Sequence, residues 1–244
     1  MHWNDNPHHN NYVVSHQHKF IYVYIPKVAC TSIKKALLPY LDVEYNKEEL
    51  EGDIEKIHDI ILPKVPPSEA YHLQKEWGYS AFTFIREPYD RLVSFYKSKI
   101  FKDGRTDTRW VDGIPRYLQR LYRQSPFAFH KDMTFEECVK NIHNLNSAGH
   151  PLEEHFRPQY SFITWPKTES EFIYIPQFIG RFETLTEDFN SICQTIGIKA
   201  PLEFLNTTRK GQSQDYYTPE LTEIVKEIYT PDINLYNKIK NGKE

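Results

Sequence analysis

A lysine, a threonine and a serine lie within a short stretch between a predicted strand and a predicted helix, in FIYVYIPKVACTSIKKALLPYL (residues 20–41). This layout is typical of a phosphate-binding loop, yet the stretch has no glycine and lacks the G-x-x-x-x-G-K-[ST] motif. A phosphate can still bind there at the helix N-terminus, where N–H groups and the helix dipole favour an anion. Lys27 would add a full charge, and Thr31 and Ser32 would add hydroxyl donors. A purely structural turn is the alternative.

A second group of donors follows the next predicted strand, in FTFIREPYDRLVSFY (residues 82–96). Arg86 lies at the carboxyl end of that strand, and Ser94 lies eight residues later, inside the following helix. A guanidinium and a hydroxyl can share one phosphate. Because ligands of parallel sheets bind beyond the carboxyl ends of the strands, the two groups together predict a ligand with two separated phosphate-like groups. Arg91 is expected to reach a carboxylate or solvent.

Strands alternate with helices along the chain. Short β-branched and aromatic runs predict strands, and apolar residues at helical spacing predict helices. The predicted strands are 20–25, 81–85 and 178–182, and the predicted helices begin near Ser32, Pro88, Thr134, Thr186 and Pro219. This order predicts an α/β fold: a P-loop-like, three-layer arrangement with a central, mostly parallel sheet flanked by helices.

Composition and charge narrow the class of protein. The 244 residues carry a net charge of −3, but residues 86–131 hold eleven Lys/Arg against five Asp/Glu, a local charge of +6. We expect a flexible polar arm over residues 1–17, one domain over 18–244, and a basic helical or loop excursion at about 97–131. A localised basic segment favours one anionic ligand over nucleic acid. Neither a signal peptide nor a membrane span is recognisable, which predicts a cytoplasmic location.

Five segments, in this order, resemble the carbohydrate sulfotransferases of family 2, which include the chondroitin, dermatan and HNK-1 enzymes. The resemblance extends from about residue 18 to 237. Its segments are the loop from Pro26 to Leu37, FIREPYDRLVSFY (84–96), EEHFRPQY (153–160), IGRFETLTEDF (179–189) and FLNTTRKGQSQDYYTPELTEIVKEIYTPDINLY (204–236).

The resemblance implies a donor, 3′-phosphoadenosine 5′-phosphosulfate (PAPS), which leaves as 3′,5′-ADP, and it implies no metal. By position, the 5′-phosphosulfate would contact the loop from residue 27 to 32, and the 3′-phosphate would contact Arg86 and Ser94. A short R-K-G element similar to that of cytosolic sulfotransferases would also reach the 3′-phosphate. The donor-binding residues implied are therefore Lys27, Val28, Ala29, Cys30, Thr31, Ser32, Arg86, Ser94, Arg209, Lys210 and Gly211. Many relatives have Gly or Asn where Ala29 or Cys30 stand.

The acceptor hydroxyl needs a general base, and histidine has a suitable pKa. His155 is the first candidate because EEHFRPQY resembles a family element in which a histidine lies beside the acceptor. His72 is the second candidate and a substrate-binding candidate, while Glu153 or Glu154 could serve instead. Arg157 fits either an anionic acceptor or a partner carboxylate.

The resulting prediction is a PAPS-dependent O-sulfotransferase acting on a carbohydrate or glycoconjugate, and the basic excursion favours an anionic one. Two alternatives stay open, a sulfotransferase of a small hydroxylated metabolite and a catalytically inactive nucleotide-binding or scaffold relative. A nucleotide kinase fits less well, because the glycine-rich loop and an acidic magnesium site are both missing from the sequence.

Overall fold

A computed structural model describes residues 11–100, 110–111, 114–115, 129, 133–166, 172–203 and 213–242. Its strands, in chain order, are β1 (Tyr12–Ser15), β2 (Phe20–Val23), β3 (Lys64–Val65), β4 (Ser80–Ile85), β5 (Trp110–Val111), β6 (Ile114–Pro115), β7 (Thr164–Pro166), β8 (Phe172–Tyr174) and β9 (Phe178–Arg181). Its α-helices are α1 (Cys30–Leu37), α2 (Lys47–Gly52), α3 (Pro67–Trp77), α4 (Pro88–Lys99), α5 (Phe135–Ser147), α6 (Tyr160–Ile163), α7 (Leu185–Ile196) and α8 (Pro219–Asn241). No helix within these ranges is long and apolar enough to cross a membrane.

The chain divides into two compact units that alternate along the sequence. The first consists of Met1–Arg86, Gln159–Thr207 and Asn237–Glu244, and the second consists of Glu87–Pro158 and Thr208–Tyr236. The single domain expected over 18–244 stays a prediction.

A five-stranded sheet in the order β3-β1-β2-β4-β9 forms the centre of the first unit. Strands β2, β4 and β9 run parallel, with Tyr22 opposite Phe82 and Phe84 opposite Gly180. Strand β1 is antiparallel to both β2 and β3. Helix α1 is the next element after β2, and a 3-10 turn (Phe182–Thr184) and α7 follow β9, so the α/β fold with a central, mostly parallel sheet is confirmed.

The flexible arm predicted over residues 1–17 is wrong for Tyr12–Ser15. These residues form β1, and all four are buried. The run Tyr-Val-Val has high β propensity and lies in the sheet between β2 and β3, so its apolar side chains are removed from water. Tyr12 also donates its hydroxyl hydrogen to the carbonyl of Phe162, at 2.6 Å. The prediction of a polar arm overlooked this short apolar run.

Close packing between β4 and β9 requires a glycine at position 180. A Cβ added there would lie 2.6 Å from Phe84 Cδ1, closer still to Cε1, and 3.1 Å from Asp188 Cβ. The Phe84 ring is buried and packs against the rings of Phe82 and Phe189, so it has little room to move.

Replacing Gly180 with alanine is therefore expected to lower the free energy of unfolding by about 1–3 kcal/mol, the usual cost of overpacking a core. Urea denaturation would measure this change. Gly52→Ala is the matched control, because an added Cβ at Gly52 meets nothing within 4 Å. Equal stability of the two variants would contradict the packing described for β4 and β9.

The second unit is helical around one apolar core. Its buried residues come from α4 and its C-cap, α5, α8 and the segments before α5 and α6, and they are Leu92, Val93, Phe95, Tyr96, Ile100, Phe129, Met133, Phe135, Cys138, Val139, Ile142, Leu145, Leu152, Phe156, Leu221, Val225, Ile228 and Tyr229. Thr134 and Glu137 form a capping box at the start of α5, as Thr134 predicted. Helix α8 bends at Tyr229, two residues before Pro231, where the backbone leaves helical geometry.

Candidate active site

The loop between β2 and α1 holds two non-glycine residues in the left-handed region. Lys27 has φ 69° and Ala29 has φ 53°. Non-glycine residues in this region are strained, and such strain concentrates at functional sites. Left-handed residues in a loop can also turn successive N–H groups towards one side, an arrangement that binds anions. The glycine-free loop therefore takes up a geometry that usually favours glycine.

Helix α1 begins with a backbone suited to an anion. Its N-cap residue is Ala29, which makes no side-chain cap hydrogen bond, and its first turn contains no acidic residue. The first N–H groups of a helix have no partner within the helix, and they carry the positive end of its dipole. Ser32 is buried in this first turn, whereas Thr31 is half-buried. The structure thus brings the predicted 5′-phosphosulfate residues together at one helix end.

Relief of strain at Ala29 provides a test of this loop. Ala29→Gly is expected to raise the free energy of unfolding by about 1 kcal/mol, because glycine reaches positive φ without a Cβ clash. Urea denaturation measures the change. Ala36→Gly, inside α1, makes the same substitution at an ordinary helical position and is expected to lower stability by about 1 kcal/mol. A similar loss of stability in Ala29→Gly and Ala36→Gly would show that Ala29 does not hold its left-handed conformation.

Arg86, at the end of β4, is fixed beside this loop. Its Nη1 donates to the carbonyl of Lys27 at 3.3 Å, and its guanidinium carbon lies 4.3 Å from the centre of the Phe182 ring. Gln159 holds the Arg86 backbone by accepting from its N–H at 3.0 Å and donating to its carbonyl at 2.8 Å. Two of the residues predicted for the donor are therefore in direct contact.

Three residues near this site were not among the sequence candidates. Gln159 and Phe182 position Arg86, and His58 Nε2 lies 3.4 Å from Thr31 Oγ1. Gln159 lies inside EEHFRPQY and Phe182 lies inside IGRFETLTEDF, and the resemblance covers both segments. Their contacts with Arg86 were not predicted. His58 had no such signal, because it lies 27 residues from Thr31, at the end of a short 3-10 helix (Ile54–His58).

Arg181 was also missed. It is the last residue of β9 and pairs in register with Ile85, so the ends of neighbouring parallel strands carry Arg181 and Arg86. Its N–H donates to Asp188 Oδ2 at 2.7 Å. An arginine at the end of a predicted strand was the available signal, as it was for Arg86.

The second unit carries the remaining described candidates. Ser94 is buried in α4. Arg91, one turn earlier, does not reach solvent, which was one of its two expected environments. It is buried and donates to the carbonyl oxygens of Arg157, at 2.8 Å, and Glu154, at 3.1 Å. Carbonyl acceptors satisfy its guanidinium where water is excluded. Arg157, the predicted acceptor-binding residue, is itself buried.

His155 and Glu153 are joined by two short hydrogen bonds. The imidazole Nδ1 lies 2.7 Å from Glu153 Oε1, and the His155 backbone N–H donates to Glu153 Oε2 at 2.8 Å. The side chain of His155 is 20% exposed and that of Glu153 is 4% exposed. His155 thus combines a buried carboxylate partner with a partly exposed side chain.

Glu153, Glu154 and His155 each bring one possible metal-ligand atom within 4.8 Å of the others. The two oxygens of Glu153 already accept hydrogen bonds from His155. Hydrogen bonding therefore accounts for the proximity of Glu153 and His155 without a metal ion.

His72 is in a different environment from His155. It lies on α3 with its side chain 63% exposed, and its Nδ1 lies 3.0 Å from Glu76 Oε1. An exposed pair of this kind, four residues apart on a helix, is common on protein surfaces. The structure gives His72 no contact with Lys27 or Arg86 among the hydrogen bonds described. Its role as base or substrate-binding residue stays a prediction.

The R-K-G element, Arg209, Lys210 and Gly211, lies outside the described residues, as does most of the basic excursion at 97–131. Their predicted roles are therefore not tested.

The three cysteines are free, and Cys30 alone lies at the candidate site. Burial raises the pKa of the Cys193 thiol to about 11 and raises the pKa of Cys138 further. Both thiols are therefore protonated at neutral pH and act as packing residues.

Comparison with known proteins finds carbohydrate sulfotransferases. The chain is 26% identical to carbohydrate sulfotransferase 11 of Mus musculus, over 92% of this chain and 66% of that protein. It is 26% identical to carbohydrate sulfotransferase 14 of Danio rerio, over 86% of this chain and 53% of that protein. It is 22% identical to carbohydrate sulfotransferase 10 of Xenopus laevis, over 89% of this chain and 63% of that protein.

The chain thus spans roughly half to two thirds of the length of these relatives. No solved structure matches it significantly. The sequence model of the sulfotransferase family matches residues 10–238, nearly the whole chain, including both predicted phosphate-binding segments and EEHFRPQY. The protein belongs to the sulfotransferase family.

Proposed function

We propose that the protein transfers a sulfuryl group from PAPS to a hydroxyl of a carbohydrate or glycoconjugate. Family membership and the names of its relatives, all carbohydrate sulfotransferases, support this proposal. The observation that carries it is the contact between Arg86 and the Lys27 carbonyl at the start of α1. This contact joins two cationic residues from separate segments beside one helix N-terminus.

The residues of the first unit fit an anionic nucleotide donor. The donor supplies the sulfuryl group. Lys27, the N–H groups from Val28 to Cys30, and the hydroxyls of Thr31 and Ser32 would hold its 5′ end, where the helix dipole favours negative charge. Arg86 would bind the 3′-phosphate, and its planar guanidinium suits that group. Arg181 adds a positive charge at the end of the neighbouring strand.

His155 would accept the proton of the acceptor hydroxyl at Nε2. As the O–H bond breaks, the hydroxyl oxygen forms a bond to sulfur, and the bond between sulfur and the phosphate oxygen breaks with its electron pair left on 3′,5′-ADP. Negative charge grows on that leaving oxygen, and Lys27 would stabilise it. Positioning and electrostatics dominate in-line transfers of this type.

That the acceptor is a carbohydrate rests on the names of the relatives. An anionic carbohydrate is the form we propose, because residues 86–131 carry a local charge of +6. Arg157 would bind the anionic acceptor, and Ser94 would bind the 3′-phosphate of the donor. The cytoplasmic location stays a prediction.

The first test is binding of nucleotides, measured by thermal unfolding. 3′,5′-ADP is expected to stabilise the protein more than 5′-AMP or ATP does, because only 3′,5′-ADP carries the 3′-phosphate that Arg86 would bind. At 100 times its Kd, a ligand adds about 2.7 kcal/mol of stability, which for a chain of this size is a shift of roughly 5–10 °C. Equal stabilisation by ATP with magnesium would favour the kinase alternative.

The second test is transfer of labelled sulfate from PAPS to a panel of acceptors. Transfer to chondroitin-type glycans, and not to small phenols or alcohols, supports the carbohydrate proposal. Transfer only to small hydroxylated compounds would favour the metabolite alternative. Binding of 3′,5′-ADP without transfer to any acceptor would favour the inactive relative.

A further inference from the structure

Glu153 is a buried carboxylate whose two oxygens both accept hydrogen bonds from the same neighbouring residue. Oε1 lies 2.7 Å from the imidazole Nδ1 of His155, and Oε2 lies 2.8 Å from its backbone nitrogen. We propose that Glu153 is a positioning residue, which holds His155 in the tautomer with hydrogen on Nδ1 and leaves Nε2 as the nitrogen that accepts a proton. This inference rests on the proposed function of His155.

Burial distinguishes this pair from the other histidine–carboxylate pairs of the described residues. The Glu153 side chain is 4% exposed, whereas the carboxylates of the pairs His72–Glu76 and His143–Glu227 are 62% and 67% exposed. Water competes strongly for an exposed carboxylate, so an exposed pair does not fix the orientation of a ring. A buried carboxylate requires hydrogen-bond donors, and His155 provides two.

The backbone on both sides of the pair is held in place. Arg91 donates to the carbonyls of Glu154 and Arg157, and the Tyr229 hydroxyl donates to the carbonyl of Phe156 at 2.5 Å. The N–H groups of Phe156 and Arg157 both donate to the carbonyl of Glu153. The turn that carries His155 is therefore fixed by α4 and α8 of the same unit, and Glu153 adds the restraint on the ring.

A fixed tautomer has a direct chemical consequence. In a neutral imidazole one nitrogen carries hydrogen and the other accepts it. The carboxylate accepts, so Nδ1 donates, and the proton of the acceptor hydroxyl goes to Nε2. A carboxylate beside Nδ1 also stabilises the imidazolium that forms during the step.

Replacing Glu153 with glutamine tests this role. Glutamine keeps the shape of glutamate, but its amide N–H can donate a hydrogen bond to Nδ1. This bond favours the tautomer with hydrogen on Nε2. In that tautomer Nε2 cannot accept the proton of the acceptor hydroxyl. We expect kcat to fall by roughly 10²-fold or more, with KM for PAPS and the affinity for 3′,5′-ADP within about twofold of the unchanged protein, the signature of a loss confined to the transition state. Glu227→Gln is the matched control, because it makes the same change in the exposed pair, and it is expected to leave kcat unchanged.

Nitrogen-15 NMR of the histidine rings provides a readout that does not depend on turnover. His155 is expected to carry hydrogen on Nδ1 in the unchanged protein and in Glu227→Gln, and to shift towards Nε2–H in Glu153→Gln. Hydrogen on Nε2 of His155 in the unchanged protein would overturn the proposal. That measurement needs no variant, so it decides the question even if Glu153→Gln fails to fold.

The outcomes separate this inference from the proposed function. If His155→Ala lowers kcat and a folded Glu153→Gln does not, His155 acts without Glu153 and the inference fails, while the proposed function stands. If the unchanged protein transfers no sulfate, the proposed function fails, whatever the tautomer of His155.

Discussion

Lys27→Ala is expected to lower turnover by roughly 10²–10³-fold, the usual effect of removing one group that stabilises developing charge. In the proposed reaction negative charge grows on the phosphate oxygen as it leaves, and Lys27 precedes the helix N-terminus that would bind this phosphate. Its backbone carbonyl also accepts a hydrogen bond from Arg86, and that bond does not involve the deleted side chain. The loss should therefore come from the missing charge, with the loop kept in place.

Steady-state kinetics with labelled PAPS, together with a 3′,5′-ADP titration, would measure this loss. Alanine is preferred to glycine because it keeps a Cβ where φ is 69° and so changes the charge without relieving backbone strain. Lys35→Ala is the matched control. It removes an equal charge from α1, where Lys35 pairs with Glu203 at 2.7 Å, and should change turnover little. Equal losses in the two variants would show that net charge, and not the position of Lys27, governs the rate.

His155→Ala is expected to lower turnover by roughly 10²-fold or more, the scale of a general base, without weakening the binding of 3′,5′-ADP. The variant removes one of the two donors to the buried Glu153 carboxylate, so the free energy of unfolding should also fall by about 1–3 kcal/mol. Kinetics measured well below the unfolding temperature would separate the two effects.

His143→Ala is the control for this second prediction. His143, on α5, is also paired with a glutamate, Glu227 at 2.9 Å, but that carboxylate is 67% exposed. It should retain full turnover. Near-normal turnover in His155→Ala would move the role of base to His72 or to one of the glutamates, Glu153 or Glu154.

Short-range patterns in the sequence predicted most of the elements that position the site. The apolar spacing of α1 and α8, the Thr134 cap and the proline at the start of α4 all correspond to the structure. Each depends on residues within about one or two turns of one another, so a single chain segment contains the information. The order of strands and helices then predicted the parallel strands β2, β4 and β9.

The residues of the candidate site were predictable from the sequence, but the contacts that hold them in place were not. Lys27, Arg86 and His155 were recognisable from residue type, position at a strand end and resemblance. The contacts of Gln159 with Arg86 and of Tyr229 with Phe156 each join residues 73 positions apart. No local pattern specifies such a pair, because it forms only when the fold brings distant segments together.

The sequence by itself thus determined the fold class, the starts of five helices and the types of residue at the site. Only the tertiary structure decided that Tyr12–Ser15 join the sheet, that a loop without glycine adopts positive φ at Lys27 and Ala29, and that Glu153 is buried against His155. The physical reason is the same in all three cases. Burial and hydrogen bonding across the fold outweigh local preference, since a few long-range contacts can stabilise a conformation that its own segment would not favour.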